Sequence, residues 1–174
     1  MSIRYEGEIT IEKTTAEDLD DLLYLWNNGR VMQYVGFPEG LGAQREELDG
    51  WLEWVGQSAR RSHYTVRAEG VGYCGEAFYD VDGERWAALD IKLLPDAWGK
   101  GIATRALGYA IGRAFGLGRA QVVYVDPHPD NGQALRLYSR LGFKPEERPA
   151  HLPPEEGCEN HLFLTVHRED WLKD

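Results

Sequence analysis

The chain reads PDAWGKGIATRAL at residues 95–107, where an apolar strand ends and an amphipathic helix begins. Gly99 and Gly101 can adopt backbone conformations that are closed to residues with a Cβ. The free amides of such a turn, together with the positive end of the following helix, favour a bound anion. Lys100 adds a cation. The stretch therefore predicts a phosphate-binding loop, although short Gly-x-Gly turns also occur where strands simply meet helices.

Two common nucleotide motifs do not match this loop. A Walker loop requires Gly-x-x-x-x-Gly-Lys-Ser/Thr, whereas Lys100 lies between the two glycines with no hydroxyl residue directly after it. A dinucleotide loop requires a third glycine three residues after the second, and that position holds Thr104. The mononucleotide interpretation therefore fails, and the dinucleotide interpretation is weak.

A second motif follows at residues 122–143, which read VVYVDPHPDNGQALRLYSRLGF. Together, the two segments resemble the main motifs of the GNAT superfamily of N-acetyltransferases. These are the pyrophosphate loop, Gln/Arg-x-x-Gly-x-Gly/Ala, and a later Asn-(helix)-Tyr-x-x-x-Gly-Phe block. The wording WGKGIAT at residues 98–104 is most similar to the branch that contains ribosomal-protein N-terminal acetyltransferases and many small-molecule acetyltransferases.

Length and periodicity predict one α/β (mixed α+β) domain over residues 1–174, because a chain of 174 residues can bury one good core. Strand patterns occur at residues 9–12, 63–68, 72–79, 87–94, 120–125, 143–146 and 162–167. Helical patterns begin at residues 15–18, near 48, at 102 and at 131, whereas residues 31–42 are expected to be irregular. The resemblance implies the acyl-CoA N-acyltransferase fold, with a mostly antiparallel mixed sheet, flanked by helices, that splays between strands 87–94 and 120–125.

Composition narrows the class of partner. The 29 acidic residues outnumber the 19 basic ones, which argues against a nucleic-acid partner and suits a cationic substrate, or simply keeps the protein in solution. There is no signal-like N-terminus and no run of roughly 18 apolar residues, so we expect a cytoplasmic protein without a membrane partner. The two cysteines and five histidines lack paired ligand spacing, so we expect no metal. A homodimer is left open.

The resemblance implies acetyl-CoA as the cosubstrate and assigns residues to it by motif position. Those assigned to the pyrophosphate loop are Trp98, Gly99, Lys100, Gly101, Ile102, Ala103 and Thr104. The main chain of Leu93 and Leu94 would pair with pantetheine and polarise the thioester carbonyl. Asn131 would contact the cofactor as well as cap its helix. Tyr138 would protonate the leaving thiolate. The alternative interpretation is that Tyr138 is an ordinary core aromatic residue with its hydroxyl at the surface.

The general base departs from the family pattern. Many relatives of the ribosomal-protein branch carry a glutamate at the position that aligns with Ala88. Asp90, two residues further on the same strand face, is the best substitute, with Glu76 and Glu84 in reserve. Lys92 on that face offers Asp90 a purely structural partner, and ordered water is a further candidate for the base.

The resemblance implies transfer of an acetyl group to a primary amine by direct attack in a ternary complex. The acidic balance and aromatic residues favour a small amine such as a drug, an amino acid or a polyamine. Residues expected on the acceptor side are Trp26, Tyr34, Phe37 and His161, with Trp51 and Trp54 nearby. Two alternatives stay open. The sequence of the loop favours acetylation of a polypeptide N-terminus. The absence of a glutamate at position 88 favours a non-catalytic acyl-CoA-binding module.

Overall fold

The computed structural model describes residues 6–172, which form one seven-stranded mixed sheet flanked by helices. The strands are β1 (Ile9–Lys13), β2 (Arg61–Ala68), β3 (Gly72–Val81), β4 (Trp86–Leu93), β5 (Val122–Val125), β6 (Lys144–Pro145) and β7 (Leu164–His167). The helices are α1 (Leu19–Trp26), α2 (Gly29–Met32), α3 (Arg45–Gly56), α4 (Ile102–Gly116), α5 (Gly132–Arg140) and α6 (Arg168–Trp171). The predicted fold class is confirmed.

The helix starts follow the predicted chemistry. The backbone N–H of Thr15 donates to Asp18 Oδ2 at 2.8 Å in a capping box that opens the turn before α1. Asn131 accepts from the N–H of Ala134 at 3.1 Å and caps α5. Residues 31–42 differ from expectation, because α2 and a short 3₁₀ turn at Gln33–Val35 give part of this segment regular structure.

The sheet has the order β1-β2-β3-β4-β5-β7-β6. β1 to β4 pair antiparallel, whereas β4 and β5 run parallel. That parallel pair is short, since its register ends at Ala88 opposite Tyr124 while β4 continues to Leu93. Within the described part of the chain, residues 89–93 therefore have no strand partner on this side. The predicted splay is present, and we call it the β4–β5 opening.

The two faces of the sheet have different coverings. The aliphatic side chains of β4 at Leu89 and Leu93 pack towards α4, whose residues Ile102, Leu107 and Ile111 are fully buried. Each such side chain contributes roughly 1.5–3 kcal/mol to folding when it leaves water. The opposite face is covered by α1 and α3, whose leucines form a separate apolar cluster. Because side chains alternate along a strand, Asp90 and Lys92 face the second layer.

Candidate active site

The glycine-rich loop forms an open cradle at the start of α4. Gly99 and Gly101 have φ angles of 73° and 79°, in the region that favours glycine. A Cβ built on either glycine meets no protein atom within 4 Å, so the space above the loop is free for a ligand. The first amides of α4, which begins at Ile102, have no partner inside the helix. The loop therefore fits a diphosphate group.

Two side chains of this loop donate hydrogen bonds to main-chain carbonyls. Lys100 Nζ donates to the carbonyl of Asp96 at 2.6 Å, so its ammonium group folds back onto the loop. Trp98 Nε1 donates to the carbonyl of Leu93 at 2.8 Å, and the Arg30 guanidinium lies 5.3 Å from the centre of a Trp98 ring. Trp98 thus fixes the loop against the end of β4 and against α2.

The main chain at the end of β4 distinguishes the two leucines assigned to pantetheine. The N–H of Leu94 donates to the carbonyl of Cys74 at 2.7 Å, and its own carbonyl accepts from Ala97 at 2.9 Å. Hydrogen-bonded and non-hydrogen-bonded pairs alternate in an antiparallel ladder, so the N–H of Leu93 points away from β3 and into the β4–β5 opening. Leu93 is available to a ligand there. The Leu94 N–H is not, which differs from our expectation.

Tyr138 lies beside the same opening. The residue is 8% exposed, and its ring packs against Phe143 with centroids 5.4 Å apart. Burial raises the pKa of its hydroxyl, and the carboxylates of Asp90 and Asp126 raise it further. The phenol consequently keeps its proton at neutral pH and can donate it.

A cavity of about 330 Å³ lies between the sheet and the helices of the second layer. It is lined by Trp26, Met32, Leu41, Trp51, Trp54, His63, Glu76, Phe78, Asp90 and Lys92. We call it the acceptor pocket. Asp90 belongs to the part of β4 that pairs with β3 but not with β5, two residues beyond Ala88, so the pocket reaches the β4–β5 opening. Its volume is at the lower end for small-molecule sites.

Glu76 is the hub of the polar groups in this pocket. Its Oε2 accepts from Trp26 Nε1 at 2.9 Å and lies 2.7 Å from His63 Nε2, while its Oε1 accepts from Lys92 Nζ at 3.4 Å. Burial disfavours the charged carboxylate. Lys92 and the hydrogen bonds that the carboxylate accepts outweigh burial, so the pKa of Glu76 lies well below its usual range.

Lys92 joins the two carboxylates of the pocket. Its Nζ contacts Oδ2 of Asp90 as well as Oε1 of Glu76. Burial alone would lower the pKa of Lys92, but the charges of Asp90 and Glu76 reverse that effect and raise it. The Lys92 side chain therefore stays a cation although it is only 14% exposed.

Only some of the residues predicted on the acceptor side line the acceptor pocket. Trp26 lines the acceptor pocket, as do Trp51 and Trp54. Tyr34 and His161 lie outside its lining and flank His128, with ring centroids 6.0 and 5.3 Å from it. His161 Nδ1 lies 3.0 Å from the carbonyl of Asp126. Phe37, also outside the lining, is 42% exposed. These three residues are separate from the pocket that the structure forms.

The candidates for the general base lie in two different places. Asp90 and Glu76 line the pocket, whereas Glu84 lies near the β3–β4 turn, 3.7 Å from His151. The sequence reasoning did not assign His63 or Phe78 to the pocket. The signal was available in the register, because His63, Phe78 and Asp90 face one another across three strands and share one face.

Within residues 6–172, no group of His, Cys, Asp and Glu side chains is arranged to hold a metal ion. The described part of the chain also contains no helix that is both long and apolar enough to cross a bilayer.

Comparison with known proteins bears on the same region. Residues 8–144 match the model of the acetyltransferase (GNAT) domain family. The chain is 31% identical over 137 residues to a spermidine N(1)-acetyltransferase of Escherichia coli, with 78% of this chain and 72% of the relative covered. It is 25% identical over 151 residues to an uncharacterized N-acetyltransferase of Bacillus licheniformis, with 84% of each covered.

A solved structure shares the fold. The spermidine N-acetyltransferase of Vibrio cholerae, in complex with CoA and spermine, superimposes with a TM-score of 0.78 at 20% identity, covering 94% of this chain and 98% of that one. The family match spans the phosphate cradle, the β4–β5 opening, Tyr138 and every lining residue of the acceptor pocket. The chain therefore belongs to the GNAT family of N-acetyltransferases.

Proposed function

We propose that this protein transfers the acetyl group of acetyl-CoA to the primary amine of a small molecule, which attacks directly within a ternary complex. The observation that carries the proposal is the acceptor pocket, whose carboxylate Asp90 borders the β4–β5 opening. The Escherichia coli and Vibrio cholerae relatives are spermidine acetyltransferases, which supports a small amine as the acceptor.

The cosubstrate would lie across the cradle and the opening. Acetyl-CoA supplies an acyl group activated as a thioester. The backbone of residues 99–103 would hold its diphosphate, with Trp98 and Thr104 beside them, because the cradle is open and the helix terminus is positive. Asn131 caps α5 and would contact the cofactor from the other side of the opening.

The N–H of Leu93 would act on the thioester carbonyl. It is directed into the opening and has no strand partner there. A fixed donor aimed at an oxygen that gains negative charge is the largest plausible contribution to acyl transfer. We do not extend this role to Leu94, whose N–H is bound to Cys74.

Two side chains would move protons. Asp90 has a partly exposed carboxylate in the pocket and would accept the proton that the attacking amine loses. Tyr138 keeps its proton because burial raises its pKa, and it would donate that proton to the departing thiolate. One C–N bond forms and one C–S bond breaks. The proton balance is closed when Asp90 releases its proton to solvent and Tyr138 recovers one.

Calorimetric titration with acetyl-CoA, CoA and ATP, followed by a thiol-release assay over a panel of amines, tests the proposal. We expect saturable binding of acetyl-CoA but not of ATP, and thiol release that depends on an amine. Asp90→Asn should lower turnover and leave acetyl-CoA affinity unchanged, whereas Glu84→Gln, at the β3–β4 turn, should change neither. Tight acetyl-CoA binding without transfer to any amine would refute the catalytic proposal.

A further inference from the structure

The charges of the acceptor pocket nearly cancel. Its lining contains two carboxylates, on Glu76 and Asp90, and one ammonium group, on Lys92. Lys92 Nζ contacts both carboxylates and is itself largely buried. Two negative charges and one positive charge leave one negative charge for a ligand to neutralise.

The two carboxylates are not equally available. Both oxygens of Glu76 accept hydrogen bonds within the protein, and its side chain is only 3% exposed. The Asp90 side chain is 39% exposed, and its Oδ2 faces Lys92. Its Oδ1 has no hydrogen-bond partner within residues 6–172. The unbalanced charge is therefore accessible at one oxygen atom, Asp90 Oδ1.

Both ring nitrogens of His63 have partners within the protein. Its Nδ1 lies 2.6 Å from Thr14 Oγ1, which is 2.9 Å from Thr65 Oγ1. Neither ring nitrogen is therefore available to an ammonium group of a ligand, because Nδ1 faces Thr14 and Nε2 lies 2.7 Å from Glu76 Oε2.

The rest of the pocket wall is apolar. Its remaining members are Trp26, Met32, Leu41, Trp51, Trp54 and Phe78. Arg61 lies over the Trp54 ring, 3.9 Å from its centroid, and is 3.6 Å from Asp80. The ring face of Trp54 is thus already covered by a cation, and the nearby carboxylate of Asp80 is already paired.

We propose that the acceptor is a small amine with one ammonium group and an apolar or aromatic body, and not a polyamine. The inference rests on the proposed function and specifies the substrate class of the same site. One ammonium group would pair with Asp90, and the body would lie against the tryptophans and Phe78. A second ammonium group would lie among apolar side chains without a carboxylate, which is costly.

Matched amines test the inference directly. Hexylamine and hexamethylenediamine have the same carbon chain and differ by one ammonium group, and phenethylamine and spermidine extend the comparison. We expect kcat/KM to be at least about tenfold higher for each monoamine, and calorimetry with the CoA-bound protein to give the same order of affinities. Equal or better use of hexamethylenediamine or spermidine would overturn the inference while leaving the proposed function intact. No thiol release with any amine would refute both.

Two variants locate the preference in the pocket. Lys92→Gln leaves two carboxylates uncompensated, and we expect the preference to shift towards hexamethylenediamine by about tenfold. The double variant Lys92→Gln with Glu76→Gln restores a single negative charge, so the preference for hexylamine should return. If Lys92→Gln fails to fold, the double variant still tests the dependence on the net charge of the pocket. It removes both charges and so avoids an unpaired buried carboxylate. A preference for hexamethylenediamine in the double variant would contradict the proposal.

Discussion

Trp26 Nε1 donates a hydrogen bond of 2.9 Å to Oε2 of Glu76 and so joins α1 to β3 across the acceptor pocket. Glu76 is buried in the sheet, and the Trp26 indole lines the pocket in edge-to-face contact with Trp51 at 5.0 Å. This one hydrogen bond therefore fixes the position of the Trp26 and Trp51 rings relative to the Glu76 carboxylate.

Trp26→Phe should weaken both the fold and amine binding. Phenylalanine keeps a ring in the pocket but cannot donate to the Glu76 carboxylate. Losing a hydrogen bond to a charged group should lower the free energy of unfolding by about 2 kcal/mol, which urea unfolding would measure. KM for the amine should also rise. Trp51→Phe is the control, since the Trp51 indole N–H has no hydrogen-bond partner in the described chain. Equal losses in the two variants would show that ring size, not the hydrogen bond, matters.

Glu76→Gln should make the free energy of unfolding depend less on pH in the acidic range. The pKa of Glu76 is lower in the folded protein than in the unfolded chain, so its charge stabilises the fold above the ordinary glutamate pKa of about 4.3. That contribution is lost as pH falls from this value through the folded pKa. We expect the variant to be less stable by about 3 kcal/mol at neutral pH, with the difference shrinking in acid.

Urea unfolding at a series of pH values measures this effect. Glu84→Gln, at the β3–β4 turn with a side chain 68% exposed, is the matched control and should follow the wild-type profile. A constant difference between Glu76→Gln and wild type at every pH would mean that the Glu76 charge does not contribute to stability.

Gly101→Glu should abolish tight acetyl-CoA binding while the protein stays folded. The built Cβ meets no atom within 4 Å, but the added carboxylate would enter the anion cradle and repel the diphosphate. We expect affinity to fall by at least about 100-fold in calorimetry. Gly101→Ala separates the two effects, because it adds only the strain of a positive φ, about 1 kcal/mol.

Gly142→Ala is the control for backbone strain. Gly142 also has a positive φ, 91°, and open space at its Cβ, but it follows α5 outside the cradle. It should lose stability much as Gly101→Ala does and still bind acetyl-CoA. Unchanged cofactor binding in Gly101→Glu would show that the loop is only a structural turn.

The order of elements could be predicted from sequence because it depends on local patterns, whereas the splay was expected only from the family resemblance. The Gly99 and Gly101 turn, the Asn131 cap and the apolar stripe of α4 act over a few residues. The internal pairing of the Leu94 N–H could not be predicted from such patterns. Its N–H is used by Cys74, and which backbone groups face the opening depends on the register between β3 and β4.

The acceptor pocket could be predicted only in part. Asp90 and Lys92 were recognised as neighbours because they are two residues apart on one strand. Glu76 became the hub only through α1 and β2, which are distant in sequence. Aromatic residues in a helix, such as Trp26, were easier to assign than Tyr34, because the path of residues 31–42 follows no periodic pattern.

Tyr138→Phe should lower turnover far more than acetyl-CoA affinity. The variant keeps the ring that packs against Phe143 at 5.4 Å, so the fold and the opening should persist. Without the hydroxyl, the thiolate departs without a proton donor, and kcat should fall by about 100-fold in the thiol-release assay.

Tyr79→Phe is the matched control for Tyr138→Phe, because Tyr79 is also buried on the α4 side but lies in the core of β3. It should leave kcat unchanged. Burial raises the pKa of Tyr138, so the wild-type kcat should not decline through loss of its proton up to the ordinary tyrosine pKa of about 10. Wild-type turnover in Tyr138→Phe would exclude the phenol as the acid and leave solvent to protonate the thiolate.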